Sequence, residues 1–162
     1  MKSRTAIYAG TFDPITLGHL DLVERALHLF DNIIVAVGTA SGKETLFTLQ
    51  ERADLVKNST KHLRNVSVDS FSGLLVDYAK KQKAPILLRG LRALSDFETE
   101  FQHATTNRKL APNIETVFIM TSAKYFYLNS SIVKEVASLG GDISCFAPKP
   151  VETALRKKFN KQ

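Results

Sequence analysis

Thr11, Thr16 and His19 fall within one ten-residue segment, Gly-Thr-Phe-Asp-Pro-Ile-Thr-Leu-Gly-His over residues 10–19, directly after the apolar stretch Ala6–Ala9. That order describes a strand, a tight glycine-containing turn and the opening of a helix. Helix N-termini leave backbone N–H groups unpaired and carry a partial positive charge, which suits them to phosphate. Thr16 and His19 are three residues apart and are expected on one face of the first turn. With the Thr11 hydroxyl on the preceding loop, a phosphate-sized anion would meet backbone donors, two hydroxyls and an imidazole. Gly10, Pro14 and Gly18 alone would make an ordinary turn. It is the whole segment, at the first strand–helix junction, that points to chemistry.

Three further segments lie just past apolar runs. Ser41-Gly42-Lys43-Glu44 follows Val37 and supplies a cation on a flexible loop. Arg89-Gly90-Leu91-Arg92 ends the run Pro85-Ile86-Leu87-Leu88 and leads into Asp96-Phe97-Glu98-Thr99-Glu100. Tyr125-Phe126-Tyr127-Leu128-Asn129-Ser130-Ser131 opens a late helix. Arginine matches phosphate through its planar fork, whereas lysine acts as a mobile point charge. Serine hydroxyls at a helix start add donors beside free N–H groups. An arginine ending an apolar run must have its charge compensated, so Arg89 faces either a phosphate or a carboxylate such as Asp96 or Glu98. Asn129 and Ser130 can equally be plain N-caps. Together the segments describe two phosphate-binding helix ends and three cationic side chains, a polyphosphate site.

The absences narrow the class. There is no G-x-x-x-x-G-K-[ST] loop, no G-x-G-x-x-G after the first strand and no H-E-x-x-H, which argues against a P-loop enzyme, a dinucleotide domain and a zinc hydrolase. With no carboxylate-rich cluster, no metal-ligating residue is assigned, and Mg²⁺ is expected mainly through substrate phosphates. His28, His62 and His103 sit in helical stretches without a partner pattern and read as structural or exposed.

The elements that must position these groups alternate regularly. Strands are expected at Thr5–Ala9, Asn32–Val37, Val66–Asp69, Ile86–Arg89 and Thr116–Met120. Helices are expected at Gly18–Phe30, Leu49–His62, Leu74–Gln82, Asp96–Leu110, Ser130–Leu139 and Val151–Phe159. Leu20, Val23, Leu27 and Phe30 recur at helical spacing, and Thr48-x-x-Glu51 and Ser95-x-x-Glu98 read as capping boxes. Such alternation implies an α/β domain, a five-stranded parallel sheet flanked by helices on both faces. Ligands then bind beyond the carboxyl ends of the strands at the switch point, where the four segments fall.

A length of 162 residues with 44% hydrophobic content fits one domain, residues 1–162. The basic N-terminus has no long apolar stretch behind it, so neither secretion nor membrane spanning is expected, and a cytoplasmic setting fits. Cys145 is the single cysteine, which excludes an internal disulfide; it reads as a reduced, partly buried thiol. Of the +6 net charge, +4 comes from residues 149–162, where five basic residues face Glu152 alone. Basic side chains suit the end of a terminal helix, and without an aromatic-laced basic face no nucleic-acid partner is expected.

The first motif resembles the T/HxGH signature of the nucleotidylyltransferase superfamily, and its full ten-residue form resembles the bacterial phosphopantetheine adenylyltransferases. The likeness extends through Phe47-Thr48-Leu49-x-Glu51-Arg52, Arg89-Gly90-Leu91-Arg92-Ala93, Asp96-Phe97-Glu98-x-Glu100 and Ser130-Ser131-Ile132-Val133-Lys134-Glu135-Val136, nearly the whole chain. It implies a Rossmann-like nucleotidylyltransferase fold and transfer of AMP from ATP to 4′-phosphopantetheine, giving dephospho-coenzyme A and pyrophosphate. It implies that His19 stabilises the transition state, with Thr11 and Lys43 orienting the nucleophilic phosphate. Thr11, Phe12, His19, Gly90, Leu91, Arg92, Glu100 and the segment Tyr125–Ser131 would bind ATP, and Thr11, Lys43, Leu75 and Arg89 the acceptor. It further implies a homohexamer and feedback inhibition by coenzyme A. Asn129 stands where the family has a serine, Thr99 where it has a tyrosine, Phe126-Tyr127 where Ser-Phe is common, and Ala9 where proline is frequent. The rival readings are a related nucleotidylyltransferase with another acceptor, such as nicotinamide mononucleotide or glycerol 3-phosphate, or with CTP as donor, and a catalytically silent nucleotide- or RNA-binding module.

Overall fold

The computed structural model describes residues 4–39, 42, 44–92 and 94–159. Its strands are β1 (Thr5–Gly10), β2 (Asn32–Gly38), β3 (Val66–Phe71), β4 (Ile86–Leu91) and β5 (Glu115–Met120). Its helices are α1 (Leu17–Ala26), α2 (Leu49–Thr60), α3 (Leu75–Lys81), α4 (Leu94–Leu110), α5 (Ser130–Ser138) and α6 (Lys149–Phe159), with a 3-10 turn at Ala123–Tyr125. The strands form one all-parallel sheet in the order β3-β2-β1-β4-β5. The chain runs outward from β1 to β3, then returns to β4 on the other side of β1. The crevice between β1 and β4 is therefore the switch point, where this architecture leaves room for a ligand.

Alternation along the strands feeds two cores. Ala6, Tyr8, Ile33, Val35, Val37 and Leu88 point to one face, beneath Leu22 and Val23 of α1, Val56 of α2, Val133 of α5, and Val151 and Leu155 of α6. Ile7, Ala9, Ala36 and Leu87 point to the other, beneath Val76 and Ala79 of α3 and Ile114 after α4. A strand buried on both faces is the mark of a parallel sheet, and β1, read as the apolar run Ala6–Ala9, is that strand.

The boundaries move where local chemistry outweighs periodicity. α1 stops at Ala26, four residues before Phe30. The His28 and Leu29 N–H groups bond back to Arg25 and Ala26, tightening the last turn so that Phe30 drops onto the core. α4 begins at Leu94, so Ser95 lies inside the helix and cannot be its N-cap. Thr48 does make the expected box with Glu51. The basic α6 is packed on the body: Val151 and Leu155 are fully buried, and Lys158 pairs with Glu51 of α2 at 3.1 Å and lies over the Phe47 ring. Cys145 is exposed, because the connection from α5 to α6 runs along the surface. Among the described residues no helix is long and apolar enough to cross a membrane.

Candidate active site

The first motif packs into a loop and a cap. Thr16 is the N-cap of α1 in extended conformation, and its hydroxyl accepts the His19 N–H at 3.3 Å. The His19 ring returns the bond: its Nδ1 accepts the Thr16 N–H at 3.0 Å. This reciprocal box gives Thr16, which also borders the cleft, a capping role that its spacing from His19 did not distinguish from ligand binding. Thr16 is 1% exposed and its hydroxyl is spent on the cap. The box also fixes the imidazole tautomer. An Nδ1 that accepts a backbone N–H leaves the ring proton on Nε2.

The His19 ring keeps one side on the cleft while Phe12 packs edge-on against it at 5.2 Å and Tyr8 lies at 6.3 Å. Burial, then the Arg92 and Arg89 charges, push its pKa down to about 4. At neutral pH it is an uncharged donor. Phe12 is buried and takes a left-handed backbone conformation, φ 47°, held by its ring among Tyr8 and His19.

Arg89 is half-buried at the end of β4, where Tyr8 and Leu88 pair across the crevice. Its fork grips Glu100, Nε to Oε2 at 2.7 Å with Nη2 on Oε1, while Nη1 donates to the Ala9 carbonyl at 2.8 Å. The compensating carboxylate is Glu100, where the sequence suggested Asp96 or Glu98; Glu98 is exposed. This pair holds the Arg89 guanidinium above its ordinary pKa. Burial pushes the neighbouring Tyr8 phenol up as well, so it stays protonated. Arg92 donates to the Leu128 carbonyl at 3.3 Å, tying β4 to the loop before α5.

That loop delivers the second helix end. Asn129 caps α5, its side-chain oxygen accepting the Ile132 N–H at 2.9 Å. Ser130 donates to the Pro14 carbonyl at 2.8 Å, and Lys134 reaches Asp13 at 2.7 Å. Asp13 also accepts the N–H groups of Leu46 and Phe47. Burial alone would raise the Asp13 pKa, but Lys134 and the two N–H groups outweigh it and hold the carboxyl below its ordinary range.

Thr11, Phe12, His19, Arg89, Gly90, Arg92, Glu100, Tyr125, Leu128, Asn129, Ser130 and Ser131 all line one cleft of about 530 Å³ at the carboxyl edge of the sheet. A Cβ at Gly90 would sit 2.5 Å from Leu22 Cδ1, so the Leu22 side chain would have to move to admit one. Leu91 is not in this wall. Phe126 and Tyr127 are exposed outside it, Tyr127 edge-on against Phe146. Lys43 lies outside the described residues. Leu75 lines a separate cavity of about 280 Å³ with Leu87, His103 and Asn107. The Arg89–Glu100 pair borders both spaces. Sequence reasoning missed Asp13 and Lys134 as a pair, and His103 and Asn107 as lining. The spacing 100, 103, 104, 107 is a helical stripe that would have linked the latter to Glu100. Among the described residues no cluster of three or more His, Cys, Asp or Glu side chains could hold a metal.

Comparison with known proteins shows the family. The family model described as cytidylyltransferase-like matches residues 7–136. A phosphopantetheine adenylyltransferase of Carboxydothermus hydrogenoformans is 52% identical over 159 residues, covering 98% of both chains. One of Caldanaerobacter subterraneus is 54% identical over 158 residues, 98% of this chain and 99% of that one. One of Syntrophotalea carbinolica is 54% identical over 159 residues, 98% of this chain and 96% of that one. The chain belongs to the cytidylyltransferase-like family and, within it, to the phosphopantetheine adenylyltransferases.

Proposed function

We propose that this protein transfers the adenylyl group of ATP to 4′-phosphopantetheine, giving dephospho-coenzyme A and pyrophosphate, the penultimate step of coenzyme A synthesis. The observation that carries this reading is the Arg89–Glu100 pair between two spaces. The larger has two helix N-termini and a neutral His19 for a nucleotide's phosphates. The smaller, with Leu75 and Leu87 on its wall, suits the pantetheine arm. Arg89 stands where the acceptor phosphate would lie.

The acceptor phosphate is already anionic at neutral pH, so no general base is needed. Its oxygen forms a bond to the α-phosphorus while the bond from that phosphorus to the β-bridging oxygen breaks and pyrophosphate leaves. The barrier lies in bringing two anions into line. His19 donates from Nε2 to an α-phosphate oxygen as charge develops, and being neutral it needs no proton transfer. The positive ends of the α1 and α5 helix dipoles add fixed potential. Thr11 and Arg89, with Lys43, orient the acceptor. Mg²⁺ enters with the triphosphate as part of the nucleotide substrate. Asp13 and Glu100 are already engaged by Lys134 and Arg89, so no step is assigned to an ion held by the protein.

The same reading extends to regulation and assembly. Coenzyme A shares the pantetheine arm and would compete for the smaller cavity as a feedback inhibitor. Phe97 and Phe101 stack at 5.7 Å on the exposed face of α4, which supports burial against other copies in a homohexamer. A cytoplasmic setting completes the proposal.

The test is pyrophosphate release from MgATP with 4′-phosphopantetheine, nicotinamide mononucleotide, glycerol 3-phosphate or no acceptor. Release is expected with phosphopantetheine alone, and His19→Ala is expected to lower kcat by about 10²–10³ while the protein stays folded. Release with a different acceptor would reassign the substrate. An unchanged kcat in His19→Ala would remove this residue from the mechanism.

A further inference from the structure

Arg52, in the first turn of α2, is 2% exposed, an uncommon place for a guanidinium. Its donors go to three backbone carbonyls: Nε to Phe47 at 3.2 Å, and Nη1 to Gly38 at 2.9 Å and to Thr11. Gly38 is the last residue of β2, and Phe47 immediately precedes the N-cap of α2. The two residues flank the connection from β2 to α2, and Thr11 lies on the cleft wall. Asp13, 5% exposed, holds the α2 flank from the other side, accepting the Leu46 N–H at 3.0 Å and the Phe47 N–H at 2.9 Å. Phe47 is thus gripped at both its N–H and its carbonyl.

A buried charge is a poor way to stabilise a fold, because desolvating it costs several kcal/mol that an apolar side chain of similar volume would not. What carbonyl contacts at fixed positions do supply is geometry. Drawing the Thr11 carbonyl toward Arg52 also sets its peptide plane. A planar trans peptide sends the Phe12 N–H away from Arg52, and both residues line the cleft.

We infer that Arg52 and Asp13 are positioning residues of the transfer reaction, fixing the Thr11–Phe12 peptide against the end of β2 and the residues before α2 so that the substrate phosphates meet preset donors. The kinetic half of this inference rests on the proposed function; the structural half does not. Two variants of the full chain, Arg52→Lys and Asp13→Asn, test it by hydrogen exchange and steady-state kinetics. Lysine keeps the charge but cannot span three carbonyls, and asparagine keeps the shape but weakens the grip on the two N–H groups. We expect the Leu46 and Phe47 amides to exchange faster while the central amides of β1 and β2 keep their wild-type protection. With it, kcat/KM should fall by about 10²-fold, the scale of a misplacement near 1 Å, for the acceptor and for ATP alike, at an unchanged fraction of folded protein. Unchanged exchange at Leu46 and Phe47 would overturn the inference. So would faster exchange spread evenly over the sheet, with both substrates affected in proportion to lost folded protein. If Arg52→Lys fails to fold, Asp13→Asn, which releases the same flank, decides alone. Wild-type protein inactive with 4′-phosphopantetheine would sink the proposed function, and the exchange result would still decide the positioning role.

Discussion

The His19 ring is the group whose charge the proposed mechanism most depends on, and its titration can be predicted in detail. With a pKa of about 4, roughly one molecule in a thousand carries an imidazolium at pH 7, and roughly one in ten at pH 5. An ordinary histidine, titrating near 6.5, would be almost fully protonated at pH 5. The causes, in order, are burial, Arg92 and Arg89. Arg92→Met should therefore raise the midpoint, though not to the ordinary value, because burial remains. The sign for stability follows. Between about pH 6.5 and 4 the unfolded chain binds this proton and the folded one does not, so His19 makes stability fall as pH drops through that window. A kinetic pH profile cannot isolate the effect, because a phosphate monoester acceptor itself titrates near pH 6. The imidazole should instead be followed directly by heteronuclear NMR in ligand-free protein, with His19→Asn assigning its signal among the four histidines. A neutral ring protonated at Nε2 throughout pH 5.5–8 is expected. A midpoint near 6.5, or a proton on Nδ1, would refute the argument from the capping box and the arginines.

Two substitutions separate positioning from contact. Thr16→Val removes the hydroxyl that caps α1 and should cost about 1 kcal/mol of stability in denaturant unfolding. Although Thr16 borders the cleft, its hydroxyl is engaged by the His19 N–H and ring, so kcat should fall far less than the 10²-fold of a lost transition-state donor; a loss of that size would show that Thr16 meets substrate directly. Arg89→Lys keeps the charge but breaks the fork on Glu100 and the bond to Ala9. It should lower kcat/KM for the acceptor about tenfold to a hundredfold, the worth of a charge-assisted hydrogen bond, and a wild-type value would show that the fork is dispensable.

The sheet was legible because its strands are short apolar runs whose ends carry polar, chemistry-bearing residues. Thr11, Arg89 and Ser130 could be placed at one edge without coordinates, and so could the parallel order implied by a helix between each pair of strands. What stayed hidden depends on rotation and reciprocity. Which of the α4 carboxylates meets Arg89 turns on how that helix crosses β4; the structure selects Glu100, one turn past the first acidic residues. Thr16 and His19 sharing a turn was readable, but their bonding to one another was a second option that spacing does not distinguish from joint ligand binding. Phe126 and Tyr127 leave the cleft because a 3-10 turn at Ala123–Tyr125 redirects the chain before α5. The Asp13–Lys134 contact joins residues 121 positions apart and leaves no local trace.

The proposed reaction is a single displacement at the α-phosphorus with no covalent enzyme intermediate, directed by a neutral His19. The stereochemical course tests it most directly, using MgATP made chiral by sulfur at the α-phosphorus and 4′-phosphopantetheine as acceptor. One in-line attack predicts inversion in the dephospho-coenzyme A product. Retention would mean two displacements through an adenylylated side chain, and would rule out direct transfer between the two substrates.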